Sequence, residues 1–246
     1  MLRTFFFFAY AVVACIIFAP IAFIGWLTYD KSETGPVGGV VQWVAKVALP
    51  PAEKLMGAEL DLRGEENIPE GAALFVGNHQ GFYDFFIACS HLGSLKSIVA
   101  KIEVSKIPII AQYMKQMHCI FMDRKDIRQS LACINQAQAR LEAGQSIVIF
   151  PEGTRSKGPV MNEFKPGALR AAIKAGTPIV PYAIDGSYKL YDQTRRVTKG
   201  KVKLSILPPV DPKALGMKHA ELSQYVQSLI QAELDRMRAE DAEAKA

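Results

Sequence analysis

The chain has 246 residues, half of them apolar, and carries a formal net charge of +5. This length suits one α/β domain with an additional anchor, or at most two small domains, and the apolar content is ample for a sizeable core. The charges are mixed in sign along most of the chain and no nucleic-acid-binding motif is present, which argues against nucleic acid as a partner. The four cysteines have neither metal-ligand nor disulfide spacing, which indicates small core residues in a reducing compartment.

The first feature in chain order is an apolar run from Phe5 to Tyr29 that contains no charged or amide side chain. A run of this length can cross the hydrocarbon core of a bilayer, which is roughly 30 Å thick. Pro20 divides the run, and a second apolar stretch extends from Pro36 to Pro51. The sequence after Tyr29 has no small-residue cleavage site, which argues against a removed signal peptide. Residues 1–56 are therefore predicted to form a membrane anchor, either a single spanning helix or a helical hairpin.

After residue 57 short apolar runs of strand length alternate with stretches of helical periodicity. The clearest helix extends from Asp126 to Ala143, with Asp126 as a suitable N-cap and Gly144 as the C-terminal stop. A last helix is predicted near Ala220–Ala239. The strand candidates are Leu74–Val76, Ser97–Ala100, Cys119–Met122, Ser146–Phe150, Ile179–Ile184 and Val202–Leu207.

This alternation predicts the fold class, which is α/β with a largely parallel sheet flanked by helices. The domain is expected to cover residues 57–246 and to follow the N-terminal apolar, membrane-anchoring helical segment. Within it, Cys119–Met122, the helix that begins at Asp126 and Ser146–Phe150 are expected to form a βαβ unit.

Asn78 and His79 directly follow the apolar run 72–77, and Asp84 lies five positions after His79. A histidine held by a carboxylate can take a proton from a hydroxyl group, as in the base half of a catalytic triad. On one regular helix two residues with this spacing would point roughly 140° apart. We therefore expect His79 on the turn before a helix, with Asp84 in its first turns. The alternative is that Asn78 and His79 serve only as turn and cap residues.

The sequence contains no Gly-x-Ser-x-Gly elbow and no obvious activated cysteine. A protein nucleophile is therefore not evident, although a histidine base is. This combination favours a reaction in which the hydroxyl group being activated belongs to a substrate.

Two arginines follow other predicted strands, since Arg124 comes after Cys119–Met122 and Arg155 after Ser146–Phe150. Ligands of open α/β sheets bind outside the carboxyl ends of the strands, so these arginines are expected at the same edge as His79. Guanidinium groups bind phosphate through paired, charge-assisted hydrogen bonds. An anionic ligand is the prediction. The alternative is local ion pairing, of Arg124 with a neighbouring aspartate and of Arg155 with Glu152.

A basic cluster near the last predicted strand contains no acidic residue, and its members are Arg195, Arg196, Lys199, Lys201 and Lys203. Such a cluster favours anionic lipid head groups or an anionic donor substrate. The alternative is a solvated hairpin face.

Four sequence blocks together resemble the glycerolipid acyltransferases, most closely the 1-acylglycerol-3-phosphate (lysophosphatidate) acyltransferases. The blocks are His79 to Asp84, Ile120 to Arg124, Phe150 to Arg155, and Ile179 to Tyr182. The resemblance covers about residues 57–210. A His-x4-Asp pattern alone is weak, but all four blocks in this order and spacing are specific. One departure from the family pattern is Met122, where isoleucine or a similar residue is expected.

The resemblance implies a reaction: transfer of a fatty acyl group from acyl-CoA or acyl carrier protein to the sn-2 hydroxyl of lysophosphatidate. The product is phosphatidic acid, a step of phospholipid biosynthesis, and neither a metal nor another cofactor is needed. His79 would be the general base and Asp84 would orient it. The resemblance also implies binding of the acceptor phosphate by Arg124 and Arg155, with Lys101 as a further candidate.

The remaining motif residues have supporting roles by the same resemblance. Asn78, Glu152, Gly153 and Thr154 would shape the loops of the site, and Pro181 would help to form the acyl or donor site. An insoluble acceptor and a water-soluble donor would also explain the anchor. The expected location is therefore the cell membrane, with the catalytic domain on the cytoplasmic side and in contact with anionic lipids.

Three alternatives stay open at this point. A related enzyme would acylate glycerol 3-phosphate or a lyso-aminolipid instead. A metal-dependent lipid phosphohydrolase would use His79, Asp84 and His118, although the sequence lacks the clustered ligands that such a site needs. A non-enzymatic lipid-binding module would leave the histidine and aspartate pair unexplained.

Overall fold

The structure is a computed structural model that describes residues 1–27, 39–123 and 125–244. Within these residues the chain forms eight α-helices and one sheet of seven strands. The helices are α1 (Leu2–Leu27), α2 (Gly39–Met56), α3 (Asp84–His91), α4 (Pro108–Gln116), α5 (Ile127–Glu142), α6 (Arg170–Ala175), α7 (Pro212–Leu215) and α8 (His219–Glu243). The strands are β1 (Ala58–Arg63), β2 (Leu74–Gly77), β3 (Ser97–Lys101), β4 (Ile120–Met122), β5 (Ile147–Ile149), β6 (Ile179–Asp185) and β7 (Gly200–Ile206).

The strand order in the sheet is β1-β7-β6-β2-β5-β3-β4. The five strands from β6 to β4 run parallel, whereas β7 is antiparallel to β6 and pairs in parallel with β1. The predicted α/β fold with a largely parallel sheet is thus confirmed. Because β2 and β5 are parallel neighbours, with Val76 opposite Ile149, the segments after both strands leave the sheet side by side.

The six predicted strands correspond to β2–β7, whereas β1 was not predicted. Its sequence, Ala-Glu-Leu-Asp-Leu-Arg, alternates apolar and charged residues and contains only two large apolar side chains, Leu60 and Leu62. The strand lies at the edge of the sheet and pairs only with β7, so its charged side chains stay partly exposed. A short charged segment of this kind is hard to distinguish from a polar linker.

The predicted helix ends at α5 are confirmed. The Asp126 carboxylate accepts hydrogen bonds from the backbone N–H groups of Arg128 and Gln129, at 2.8 and 3.1 Å. Gly144, just after the helix, has a positive φ of 84°. The predicted βαβ unit of β4, α5 and β5 is confirmed, with β3 lying between its two strands and pairing in parallel with both. A crossover helix leads back to the same sheet but does not require its two strands to be adjacent.

Two apolar cores cover the two faces of the sheet. Successive residues of β2 alternate between them, with Phe75 on the side of α1–α4 and Leu74 and Val76 on the side of α5, α6 and α8. This alternation follows from the two-residue repeat of a strand, and it explains why parallel strands read as continuous apolar runs. The arrangement is three-layered, and the carboxyl edge of the sheet is left open for a site.

The N-terminal helices pack against the first of these cores. Phe7 of α1 and Met56 of α2 are fully buried. The Phe7 ring meets the Tyr83 ring edge-on, with centroids 5.2 Å apart. The hydroxyl of Tyr10 donates a hydrogen bond to the Ala48 carbonyl at 2.8 Å and joins the two helices. Helices α1 and α2 thus pack closely against the rest of the domain, while the role of residues 1–56 as a separate anchor stays a prediction.

Pro20 does not break the N-terminal segment, since it lies inside the continuous helix α1. Among the described residues, α1 is the one helix long and apolar enough to cross a membrane by length and composition. Much of its surface is apolar and exposed, including Phe5, Val12, Ile16 and Phe23. Tyr29 and Pro36, which bound the two predicted apolar runs, lie outside the described residues.

Candidate active site

The turn between β2 and α3 carries His79 and is fixed to β6 by two buried side chains. The Asn78 side chain exchanges two hydrogen bonds of 2.8 Å with the backbone of Ile184, donating to its carbonyl and accepting from its N–H. Gln80 accepts a hydrogen bond from the Gly186 N–H at 2.9 Å and donates to the Asp185 carboxylate at 3.1 Å. Asn78 therefore has the loop-shaping position that the sequence predicts.

His79 and Asp84 form a hydrogen-bonded pair at the carboxyl end of β2. Nδ1 of His79 lies 2.8 Å from Oδ2 of Asp84, and the same oxygen accepts the Gly81 N–H at 2.8 Å. Asp84 is the first residue of α3 and is fully buried, whereas 18% of the His79 side chain is exposed. The expected geometry, with His79 before the helix and Asp84 reaching back, is confirmed. Nε2 of His79 is left available to accept a proton.

Aromatic packing fixes the plane of the imidazole ring. The His79 ring stacks on Phe150 with centroids 4.2 Å apart and an interplanar angle of 21°. Phe150 in turn meets Tyr182 of β6 nearly edge-on, at 6.3 Å. The Tyr182 ring occupies the space in which a Cβ atom of Gly77 would lie, so only glycine fits at that position of β2. The sequence motifs included Phe150 but gave no reason to expect a stacking role.

Burial and the negative charge of Asp84 both raise the pKa of Tyr182 well above its usual value. Within the described residues, neither the Tyr182 hydroxyl nor Oδ1 of Asp84 has a hydrogen-bond partner. A neutral tyrosine and a buried carboxylate thus lie on the same side of the sheet. Tyr182 therefore contributes to the surroundings of the His79 and Asp84 pair rather than acting as an acid of ordinary strength.

Glu152 holds the loop after β5 against the His79 turn. Its carboxylate is buried and accepts hydrogen bonds from the N–H groups of His79, at 2.5 Å, and Asn162, at 2.7 Å. Burial raises the pKa of Glu152, and the two backbone hydrogen bonds oppose that shift. Gly153 has a positive φ of 73°, a conformation that favours glycine, and Thr154 beside it is exposed. Glu152 and Gly153 thus lie where the predicted loop roles require.

Arg155 is held by an aspartate that sequence reasoning missed. Its Nη1 lies 2.8 Å from Oδ1 of Asp192, and Oδ2 of Asp192 accepts the Phe82 N–H at 2.6 Å. The Asp192 side chain is fully buried, whereas 31% of the Arg155 side chain is exposed. The predicted alternative partner, Glu152, is therefore wrong. The one sequence signal for Asp192 is an isolated acidic residue within the basic segment after β6.

The other two candidate phosphate ligands are less closely placed. Arg124 lies outside the described residues, although β4 ends just before it, at Met122. Lys101 ends β3 at the same edge of the sheet, but β5 separates that strand from β2. Its side chain is more than half exposed, and its ammonium group lies 2.7 Å from the Glu103 carboxylate.

An apolar cavity of about 370 Å³ lies beside the loop after β5, between the sheet, α5 and α6. Phe150 is part of its wall, so the cavity and the His79 ring share one side chain. Pro181 does not line this cavity in the described part of the chain; it lies within β6 opposite Val76 and accepts a hydrogen bond from the Leu207 N–H. Further lining residues are Val99, Met122, Ile134, Ile149 and Ala171.

The basic cluster is smaller than the sequence predicts. Four of its members are exposed, namely Arg195, Arg196, Lys199 and Lys201. Lys203 is instead buried, 2.7 Å from the Asp241 carboxylate and donating to the Met237 carbonyl at 2.6 Å. Lys201 and Lys203 lie two positions apart and so point to the same side of β7, but only Lys203 is buried, by its contacts with α8.

The residues of the predicted phosphohydrolase alternative do not come together. His118 precedes β4, and its carbonyl accepts a hydrogen bond from Ser97 at the start of β3. It therefore lies at the amino ends of parallel strands, whereas His79 lies at the carboxyl end of β2. Over residues 1–27, 39–123 and 125–244 there is no group of three or more His, Cys, Asp or Glu side chains arranged to hold a metal ion.

The α/β fold and the His79–Asp84 site indicate an acyltransferase, and comparison with known proteins agrees. The family model described as "Acyltransferase" matches residues 59–185, just over half of the chain. The chain belongs to the acyltransferase family. The resemblance inferred from the four blocks is thus confirmed.

Individual relatives have more specific names than the family model. The chain is 34% identical over 154 residues to the probable 1-acyl-sn-glycerol-3-phosphate acyltransferase of Mycoplasma pneumoniae, covering 61% of this chain and 58% of that protein. It is 30% identical over 178 residues to the 1-acyl-sn-glycerol-3-phosphate acyltransferase of Salmonella typhimurium, covering 72% of each. It spans less than half, 44%, of the chloroplastic relative from Brassica napus.

A solved structure extends the likeness to nearly the whole chain. The crystal structure of the 1-acyl-sn-glycerophosphate (LPA) acyltransferase PlsC from Thermotoga maritima has a TM-score of 0.80 and 28% sequence identity. The match covers 97% of this chain and 95% of that one. It therefore includes the N-terminal helices as well as the sheet.

Proposed function

We propose that the protein transfers a fatty acyl group from acyl-CoA or acyl carrier protein to the sn-2 hydroxyl of 1-acylglycerol 3-phosphate, giving phosphatidic acid. The observation that carries this proposal is the pair of His79 and a fully buried Asp84 at the carboxyl edge of the sheet. The names of the relatives from Mycoplasma pneumoniae, Salmonella typhimurium and Thermotoga maritima support the choice of acceptor. The reaction belongs to phospholipid biosynthesis.

The chemistry follows from the orientation of the histidine. Asp84 accepts a hydrogen bond from the Nδ1–H group, so Nε2 of His79 is free to take the proton of the acceptor hydroxyl as its oxygen attacks the thioester carbonyl. A carbon–oxygen bond forms, the carbon–sulfur bond breaks, and the leaving thiolate takes the proton from the imidazolium. The thioester is already activated, so the enzyme mainly has to supply a positioned base, stabilisation of the oxyanion and correct orientation of the two substrates. No acyl-enzyme intermediate and no cofactor take part.

Arg155 binds the acceptor phosphate in this proposal, together with Arg124 and with Lys101. Asp192 fixes one nitrogen of the Arg155 guanidinium group, and the exposed remainder can donate to phosphate oxygens. Because Asp192 also holds the Phe82 N–H, the arginine is attached to the same turn that carries His79. This attachment supports a phosphate position at a set distance from the base.

The apolar cavity beside Phe150 is suited to a fatty acyl chain. Its lining is mostly aliphatic, and it lies between the sheet and two helices rather than on the outer surface. A chain bound there would end near the ring that stacks on His79. The cavity is therefore the favoured acyl site in place of the Pro181 block.

The enzyme is proposed to act at the cell membrane, with the catalytic domain on the cytoplasmic side. The exposed apolar face of α1 supports membrane attachment. The side chains of Arg3 and Lys199 both lie against Gly57, next to the other exposed residues of the basic cluster. Clustered cationic side chains close to an apolar helix favour anionic lipid head groups.

The test is an acyl-transfer assay on the full chain in phospholipid vesicles. Labelled acyl-CoA or acyl carrier protein thioester is offered with lysophosphatidate, glycerol 3-phosphate or a lyso-aminolipid, with and without EDTA. We expect phosphatidic acid as the product, from lysophosphatidate alone and equally in EDTA. Transfer only to glycerol 3-phosphate or the lyso-aminolipid would contradict the acceptor, and complete loss in EDTA would contradict the mechanism.

A further inference from the structure

Three isoleucines at the start of α4 are partly exposed at the surface of the domain. Ile107, Ile109 and Ile110 expose 47%, 37% and 39% of their surfaces. A single exposed apolar side chain is ordinary on a soluble protein, but a contiguous exposed patch indicates an interaction surface. These residues follow β3 and a short turn at 102–106, so the patch lies at the same edge of the sheet as His79.

The second half of α4 is joined to the end of α1. Gln116 donates a hydrogen bond from Nε2 to the Ala22 carbonyl at 2.9 Å, and its Oε1 occupies the space beside Gly25. A larger residue than glycine at position 25 would displace this contact. The joint makes the isoleucines continuous with the exposed apolar side chains Phe23 and Trp26 of α1.

A groove of about 490 Å³ lies between the two helices at this joint. Apolar side chains from both helices line it, including Phe23, Trp26, Pro108 and Ile109. The exposed Lys115 of α4 stands at the same groove. An apolar groove with a tryptophan and one cation has the chemistry of a phospholipid site at a membrane surface, where aromatic rings lie at head-group level.

We infer that the α1–α4 surface, formed by Phe23, Trp26, Ile107, Ile109 and Ile110, binds membrane phospholipid, with an acyl chain in the groove. The inference rests on the proposed attachment of α1 to a membrane. It adds an element of the catalytic domain itself to the membrane contact. A short amphipathic helix buries its apolar face at the boundary between head groups and acyl chains. Because α4 begins at the catalytic edge, lipid contact there brings that edge to the depth of the acceptor hydroxyl.

A fluorescence experiment tests the contact directly. Ile109→Cys, in a chain that also carries Cys15→Ser, is labelled with a nitrobenzoxadiazole fluorophore and bound to equimolar phosphatidylcholine and phosphatidylglycerol vesicles. The matched control is Leu215→Cys on α7, since Leu215 has a similar exposure of 39% but lies by α6 on the opposite side of the sheet. We expect a blue shift and quenching by doxyl-labelled lipids at position 109 and neither at position 215.

Two results would overturn the inference. One is a label at position 109 that stays water-exposed while the protein is bound to vesicles. The other is a blue shift that appears without vesicles and grows with protein concentration, which would show a contact between copies of the chain. Either result can be obtained even if the protein has no acyltransferase activity, so failure of the proposed function is distinguishable.

A functional test uses the double variant Ile109→Asp, Ile110→Asp, with Leu215→Asp as the control. For lysophosphatidate embedded in vesicles, we expect kcat/KM to fall about tenfold or more, because burying one isoleucine side chain is worth about one decade. For a short-chain, water-soluble lysophosphatidate we expect nearly unchanged kcat/KM. Equal losses on the two acceptors would overturn the inference, because α4 would then act on the catalytic domain instead of the membrane.

Discussion

Around His79, polar side chains form hydrogen bonds with groups from distant parts of the chain. The α1–α4 surface consists instead of apolar side chains that make few hydrogen bonds. Asn78 is held by Ile184, and the Asp192 carboxylate joins Phe82 to Arg155. On the other surface, one hydrogen bond from Gln116 joins α4 to α1. Where buried hydrogen bonds set the geometry, a substitution that removes one donor or acceptor is costly. On an apolar surface most substitutions are tolerated, except those that introduce a charge.

The largest expected effect comes from removing the base. His79→Ala should lower kcat/KM for lysophosphatidate by ~10²–10⁴, the range typical for loss of a positioned general base. Fold and vesicle binding, followed by circular dichroism and flotation, should stay unchanged. His91→Ala is a matched control, because His91 also lies 3.0 Å from a carboxylate, that of Glu53, but away from the site. Near wild-type turnover in a folded His79→Ala variant would contradict the mechanism.

Asp84→Asn should be the next most damaging change, lowering turnover by roughly 10²-fold or more. The amide can still meet the Gly81 N–H, but it cannot stabilise an imidazolium, and it permits the wrong histidine tautomer. Asp126→Asn is the control, because asparagine caps a helix as well as aspartate does and Asp126 only caps α5. Asp126→Asn should keep full kcat. If Asp84→Asn kept it too, Asp84 would serve only as a helix-capping residue, like Asp126.

Arginine variants separate acceptor binding from chemistry. Arg155→Ala should raise the KM of lysophosphatidate about tenfold or more and leave the donor KM unchanged, because charged hydrogen bonds are lost from the acceptor phosphate. The same direction is expected for Arg124→Ala. Arg155→Lys should restore only part of the loss, since an ammonium group cannot form the paired contacts. The exposed Arg196→Ala should have no comparable effect on KM.

Asp192 provides a further test of the same site. Asp192→Asn should raise the acceptor KM in the same direction as Arg155→Ala but by less, because the arginine stays while its anchor weakens. A combined Asp192→Asn, Arg155→Ala variant should be no worse in KM than Arg155→Ala alone. A rise confined to the donor KM in these variants would place the donor's phosphates, not the acceptor's, at Arg155.

Helix α1 also packs against the turn of His79 through Phe7, so a change there should affect both stability and activity. Phe7→Ala should lower the free energy of unfolding by about 3 kcal/mol or more, because a fully buried ring beside Tyr83 is lost. A smaller fall in kcat should accompany it, since Tyr83 precedes α3. Phe5→Ala is the control, as Phe5 is 66% exposed. Equal thermal unfolding of the two variants in detergent would show that α1 and the catalytic turn are independent.

The sequence revealed those parts of the site that depend on local order along the chain. His79, Asp84 and the loop of Glu152 follow directly from strand ends, and α5 follows from its cap and stop residues. Asp192 could not be predicted, because its contact with Phe82 spans 110 positions and arises only when β6 and β2 pair. The stacking of Phe150 on His79 has the same origin. The charged edge strand β1 was missed because its pairing with β7 outweighs its weak local pattern.

The smallest expected effect concerns a buried cation at the amino edge of the sheet. Lys96 is buried, donates to the Ser94 carbonyl at 3.1 Å and lies 4.6 Å from the centre of the Phe75 ring. Burial lowers the pKa of Lys96 to about 8. Among the described residues no carboxylate forms an ion pair with it. In the wild-type protein the charged form of this lysine therefore lowers the free energy of unfolding. The carboxylates around His79, in contrast, accept hydrogen bonds from neighbouring groups.

Lys96→Met should therefore stabilise the protein at pH 7, by about 1–3 kcal/mol, without changing kcat. Because the pKa of the folded state is depressed, the wild type loses stability as pH falls from the unfolded value of 10.5 to about 8. The advantage of the variant should accordingly be full below pH 8 and shrink as pH rises towards 10.5. Urea unfolding of both proteins in detergent at several pH values measures it. A variant less stable than wild type at pH 7 would show that the lysine has a compensating partner after all.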